Sequence, residues 1–166
     1  MWCGETVDSL IEALYLAIHT GNKPDEYFLG HTILACRNDE VDDLNKDILA
    51  KFSGQEQLIT SADSVVLESG ADGDFSPYPI EFLNSIKASG LPLAHLTLKE
   101  GCPLMLLHNL DTANGLCNDT WMILLRIRPC VLECHILCGK HKGAIVLIPR
   151  ITLEPSNEWL LIKLCC

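Results

Sequence analysis

Residues 96–121 read LTLKEGCPLMLLHNLDTANGLCNDTW. The stretch divides into an apolar strand, a polar turn and the start of a second strand. Leu104–Leu107 is fully apolar, and Asp111–Gly115 carries residue types that favour positive φ or bond their own backbone. Gly101-Cys102-Pro103 permits a sharp entry, because Pro103 fixes φ and lacks a donor. A hairpin this apolar is not stable alone in water and requires further strands around it. Everything downstream is consistent with that requirement. Candidate strands are Leu96–Leu98, Pro103–His108, Thr120–Arg126, Val131–Cys138 and Ala144–Ile148, with Ile151–Leu153 as a further one. Short strands at this spacing suggest a small barrel.

Upstream the period changes. Residues 8–18 place Leu10, Ile11, Leu14 and Ile18 on one helical face, with Thr6 or Asp8 as the cap and Gly21, Asn22 and Pro24 as stop signals. Thr32–Cys36 reads as a short strand. Asn38 is then expected to cap a helix over Asp39–Phe52, with Val41, Leu44, Ile48 and Phe52 as its buried stripe. A strand running directly into a helix is half of a βαβ unit. Leu58–Thr60 offers another strand. Residues 68–77 have loop chemistry, and their acidic groups lack the alternation of a calcium loop. Pro79 can open a brief helix through Ile86.

Composition limits the function classes. The chain has 166 residues, 48% of them hydrophobic, enough for a substantial core. No apolar run approaches the ~20 residues of a membrane span, and the N-terminus shows no signal-peptide pattern, so an intracellular setting is expected. Net charge is −10, unevenly spread: residues 1–120 hold six basic and 19 acidic side chains, a net of −13, while residues 121–166 hold six and three, a net of +3. Nucleic-acid binders carry a basic footprint, and only the C-terminal third can supply one. Nine cysteines without a secretory signal are expected to be reduced thiols. Cys130, Cys134 and Cys138, four apart, are read as small buried hydrophobes in preference to zinc ligands; on one strand they would share a face but lie too far apart for one ion. No metal is expected.

Nucleotide chemistry is absent from the sequence. A phosphate-binding loop needs G-x-x-x-x-G-K-[ST], whose amides cradle phosphate while the hydroxyl holds Mg²⁺. The nearest cluster, Gly139-Lys140-His141-Lys142-Gly143, lacks the spacing and the hydroxyl and reads as a turn between strands. No convergent acid, base and nucleophile set is visible, so no catalytic residue is assigned.

The hairpin block LKEGCPLMLLHNLDTANGLCNDT (98–120) resembles the 2B-domain signature of Pif1-like DNA helicases, in particular the branch carried by Helitron-type transposons. Further blocks occur in family order: ILACRNDEVDDLNKDIL (33–49) resembles helicase motif IV, SADSV (61–65) and YPIEFLNSIKASGLP (78–92) resemble the connection between domains 2A and 2B, and GKHKGAIVLIPRITLEPSNE (139–158) resembles the segment that follows. Together they cover about residues 6–163. The resemblance implies an α+β chain: an N-terminal helix and linker (1–31), an incomplete RecA-like α/β segment with an acidic loop (32–77), and a 2B domain with a small SH3-like β-barrel (78–163). It implies that the intact relative is an ATP- and Mg²⁺-dependent 5′→3′ DNA helicase, nuclear in a eukaryote. This chain would then handle single-stranded DNA, with the missing helicase domains as partners and no membrane role.

Single strands are held by cations along the phosphates and by stacking platforms. Candidate DNA-binding residues are Arg37, Lys99, His108, Asn109, Asn118, Thr120, Arg126, Arg128 and Arg150. A solvated surface charge is the plainer account of any single Arg or Lys, and Asn109 and Asn118 suit the hairpin turn better than DNA. The alternative function is a free-standing β-barrel interaction module without nucleic-acid binding. His108 and Trp121 stand where the family tends to have Arg, Asp119 where it has Gly, Leu161 where it has Pro, and Cys165-Cys166 where it has a basic pair. Each change is reachable by one C-to-T transition on one strand or the other, which suggests a decayed, truncated copy of a transposon helicase.

Overall fold

The computed structural model describes residues 6–16, 18–20, 23–61, 64–65, 95–153 and 162–165. The expected loop at 68–77 and the expected helix at 79–86 lie outside them. Helix α1 spans Val7–Leu14. Thr6 caps it reciprocally: its hydroxyl accepts the Ser9 N–H at 3.3 Å, and Ser9 Oγ accepts the Thr6 N–H at 3.3 Å. The helix is shorter than expected. Tyr15 leaves helical geometry (φ −105°, ψ 51°), and its hydroxyl donates to the His31 carbonyl at 3.1 Å. A 3₁₀ turn, Ile18–Thr20, still brings Ile18 into the interior.

Helix α2, Asp25–Gly30, was not foreseen. It starts directly after Pro24, whose missing N–H is of no consequence at a helix start. The expected strand at Thr32–Cys36 is corrected. Residues 31–35 are non-helical and alternate half-buried and exposed as a strand does, but no ladder partner lies beside them among the described residues. Helix α3 spans Asn38–Lys51, with Arg37 at the cap position instead of Asn38. Of its expected stripe, Leu44 and Ile48 are half-buried and Phe52 packs on the core, joined there by Leu49, while Val41 is exposed.

Strand β1 (Gln57–Thr60) follows α3, and β2 (Ser64–Val65) follows β1. Strand β3 (His95–Leu98) pairs antiparallel with β1, Leu58 opposite Thr97. The expected parallel βαβ crossover is therefore absent among the described residues. Next come β4 (Pro103–Met105), β5 (Trp121–Arg128), β6 (Val131–Ile136) and β7 (Ile145–Pro149), which form one antiparallel sheet in the order β4-β5-β6-β7. Strands β8 (Thr152–Leu153) and β9 (Ile162–Cys165) complete a third sheet, β2-β9-β8. The decisive hairpin is present, with Leu104 opposite Met122. The barrel expectation is corrected: the described strands form open antiparallel sheets, because β4 and β7 are the two ends of a sheet whose edges do not meet.

The four-stranded sheet is covered unequally on its two faces. Met122, Leu124, Cys134 and Ile136 pack with Leu98, Cys102 and Leu116 on one face. On the other, Ile123 and Leu137 meet Phe28 of α2, with Phe52 stacked on Phe28 at a ring separation of 6.0 Å. The register of β5 on β6 shifts between Leu124 and Arg126. That bulge at Leu125 reverses the alternation of β5, since one extra residue turns every later side chain to the opposite face. Ile127 thereby joins the cluster of Met122 and Leu124, and Arg126 and Arg128 emerge exposed on the other face. Without the bulge both arginines would point into the core.

Candidate nucleic-acid interface

The hairpin loop is held by its own polar side chains. Asp111 Oδ1 accepts the Asn114 N–H at 3.3 Å, and Asp111 Oδ2 accepts from Asn114 Nδ2 at 2.7 Å. Those bonds hold the Asp111 carboxyl below the usual carboxylate range, Asn114 being the largest cause. Asn109 Oδ1 accepts the Asn118 N–H at 2.8 Å, and Asn118 Nδ2 donates to Asp119 at 3.1 Å. Thr120 Oγ1 donates to the Gly115 carbonyl at 3.1 Å and accepts the Cys117 N–H at 3.3 Å. The Asn109, Asn118 and Thr120 side chains thus build the turn, the second of the two roles read for both asparagines. Asp119 has φ +64°, the one non-glycine residue with positive φ among those described. His141, from the turn after β6, closes over Gly115: a Cβ there would lie 2.9 Å from the His141 ring.

The cationic candidates fall into three groups. Lys99 is only 7% exposed, and its ammonium donates to the Phe52 and Ala50 carbonyls at 3.1 and 3.4 Å. Its charge neutralises the carbonyl end of α3, a different task from meeting a phosphate. Arg37, Arg128 and Arg150 are exposed but engaged. Arg37 grips Asp39 through two contacts of 2.6 and 3.2 Å, Arg128 meets Glu133 at 3.4 Å, and Arg150 donates to the Thr60 carbonyl at 3.1 Å. Arg126 and His108 are exposed and enter no ion pair among the described residues.

Geometry brings Arg126 and Arg128 onto one sheet face, in register with Glu133 and Val131 of β6. Beside them an open cavity of about 260 Å³ is lined by Lys23, Phe28, Ile123, Leu125 and His135. His108, Asn109, Asn118 and Thr120 belong to the loop between β4 and β5. Arg37 and Lys99 join neither group.

The bulge was missed in the sequence although its signal was legible. In MILLRIR (122–128) the apolar phase runs Met122-Leu124 and resumes at Ile127, one residue late. The cysteine spacing also resolves. Cys130 sits exposed in the β5–β6 turn, Cys134 is fully buried and Cys138 lies past the strand, so the three do not share one strand face. Among the described residues no three His, Cys, Asp or Glu side chains converge as a metal site. Residues 139–143 are a turn joining β6 to β7, with Gly139 and Gly143 at positive φ. A Walker-type phosphate loop opens a helix, and here a strand follows, so this stretch is not such a loop.

Residues 81–127 match the family model described as DNA helicase Pif1, 2B domain. The described part of that match contains β3, β4, the loop and β5. No curated protein matches the chain. Solved structures of similar fold include the following three. One, described as the structural basis for DNA unwinding at forked dsDNA by two coordinating Pif1 helicases, is 16% identical over 98% of this chain and 31% of that one, with a TM-score of 0.55. The Candida albicans Pif1 helicase is 17% identical over 96% of this chain and 41% of that one, TM-score 0.53. A Bacteroides Pif1 helicase in complex with ADP-AlF3 and ssDNA is 15% identical over 98% and 34%, TM-score 0.51. At these identities the likeness is one of fold, and the chain spans 31–41% of the length of those proteins. Residues 81–127 are thus similar to a Pif1 2B domain, and the chain as a whole is similar to Pif1 helicases in fold.

Proposed function

We propose that this chain is a 2B-containing segment of a DNA helicase of the Pif1 type, from the Helitron branch, and that it contributes contact with single-stranded DNA. The observation that carries the reading is the domain match over the hairpin and β5, the strand whose bulge turns Arg126 and Arg128 outward. A Bacteroides Pif1 of similar fold is a complex with ADP-AlF3 and ssDNA. In this proposal the RecA-like remainder of domain 2A, the closure of an SH3-like barrel, ATP with its Mg²⁺, and 5′→3′ movement belong to the intact helicase. Arg126 supplies a phosphate contact directly, Arg128, Arg37 and Arg150 contribute once released from their present partners, and His108 lies apart from them in the β4–β5 loop.

The test is a titration of labelled single-stranded oligonucleotide at several salt concentrations. Two phosphate contacts predict a slope of about −1.4 in log K against log salt, and Arg126→Glu with Arg128→Glu abolishes it. Absence of binding at low salt refutes the reading. Two observations favour the alternative, a protein-interaction module: the net charge is −10, and four of the cationic candidates, Arg37, Lys99, Arg128 and Arg150, are engaged by protein groups.

A further inference from the structure

Beyond the bulge, the outer face of the four-stranded sheet carries three chemically different side chains in one row. The register places Arg126 of β5 opposite Glu133 of β6, and Glu133 opposite Leu147 of β7. Arg126 is exposed and enters no ion pair among the described residues. The Glu133 side chain is 20% exposed, and only its Oε2 meets Arg128, at 3.4 Å. Its other oxygen is a further acceptor. Leu147 is 59% exposed, and Ile145, two residues back along β7 and so on the same face, is 65% exposed. Adjacent strands lie about 4.8 Å apart, so about 10 Å separates Arg126 from Leu147 across the sheet. Cation, acceptor and apolar surface thus follow one another within the span of a single nucleotide, from its phosphate to the far edge of its base.

We infer that this row seats one nucleotide of a single strand and that Glu133 selects its base. The inference rests on the function proposed above. The phosphate sits at Arg126, the base crosses β6, and the face of the base lies on Leu147 and Ile145. Glu133 sets that direction. Its charge repels a phosphate, so the sugar-phosphate backbone follows β5 and only the base covers β6. A carboxylate accepts hydrogen bonds and donates none. It favours a base that turns an exocyclic amino group towards it, as cytosine does with N4, and disfavours one that turns a carbonyl, as uracil and thymine do with O4. Leu147 and Ile145 are aliphatic and give no aromatic platform for stacking, so the polar contact at Glu133 carries the discrimination. An acidic peptide, the other anion that Arg126 could attract, meets only repulsion at Glu133.

Oligodeoxycytidine and oligodeoxyuridine of equal length test the inference, because their bases differ only along the edge that would face Glu133. Fluorescence anisotropy of each labelled strand is titrated with the full chain at low salt and mildly alkaline pH, where cytosine is neutral. The cytidine strand binds at least about fivefold tighter. Glu133→Gln, whose amide can turn either its oxygen or its NH₂ to the base, brings the two strands within about twofold of each other. Leu147→Ser weakens both strands alike and leaves the slope of log K against log salt unchanged, because it removes a base contact and no phosphate contact. Circular dichroism matching the wild type shows that each variant keeps the fold. Equal binding of the two strands by the wild type, a preference that survives Glu133→Gln, or unaltered binding by Leu147→Ser overturns the inference. Each of these outcomes leaves the proposed function standing, provided that binding is salt-dependent and is lost with Arg126→Glu and Arg128→Glu. If neither strand binds at low salt, both the inference and the proposed function fall.

Discussion

Replacing Lys99 by Met isolates the tie between α3 and the sheets. Met keeps most of the side chain's length and apolar stem while deleting the ammonium. In the native fold that ammonium donates to the Phe52 and Ala50 carbonyls at 3.1 and 3.4 Å, close behind the last turn of α3. A hydrogen bond from a charged group contributes about 1.5–3 kcal/mol, and a cation at a helix C-terminus about 0.3–1 kcal/mol more. Against this stands the desolvation of a side chain that is 7% exposed, a cost of several kcal/mol per ion in buried settings. These contributions nearly cancel, so the expected loss on substitution, about 1–3 kcal/mol, is the cost of leaving the two carbonyls without their donor. For a chain of this size each kcal/mol moves the midpoint by about 2–4 °C. Urea titration, read by circular dichroism, should show a lower midpoint at unchanged slope. A midpoint equal to or above that of the wild type refutes the reasoning, since it means desolvation outweighs the carbonyl contacts and the lysine is no tie at all.

Further outcomes follow from single positions. Asp119→Gly should leave stability level or raise it by up to about 0.5 kcal/mol, because relief of φ +64° is offset by a more flexible unfolded chain, whereas Asp119→Val should cost about 1–2 kcal/mol; thermal melts of the pair check the sign. Gly115→Ala should cost more than 1 kcal/mol, since it combines φ +84° with a Cβ 2.9 Å from the His141 ring. Burial pushes the Cys134 thiol up from 9.0 to about 12, with Cys102 and Glu133 as lesser causes. Its folded value is raised, so its contribution to stability is complete below pH 9 and is lost as pH rises from about 9 towards 12. In alkylation at pH 8, exposed Cys36 and Cys130 should label first, and Cys102 and Cys134 only on unfolding. Deleting Leu125 removes the bulge and drives Arg126 and Arg128 towards Met122 and Leu124; the variant should fail to give a cooperative melt.

Local pattern carried much of this protein. The period-2 runs from Leu96 onward placed β3 through β8 within a few residues, and Gly115 marked a place where the hairpin loop needs positive φ. Thr6 and the apolar spacing of residues 10–14 located α1, and the acidic start of residues 38–51 located α3. These features depend on neighbours in sequence, so the sequence contains their causes. Whether strands close into a barrel, or whether an alternating segment such as Thr32–Cys36 finds a ladder, depends on partners far along the chain, and periodicity is silent about partners. The same holds for the cations. Arg126 and Lys99 look alike as letters, yet a one-residue bulge turns Arg126 to the surface, and the approach of α3's last turn draws Lys99 inward. Residue type decides that a charge is present, and only the packing of distant segments decides whether it faces water, a carboxylate or the end of a helix.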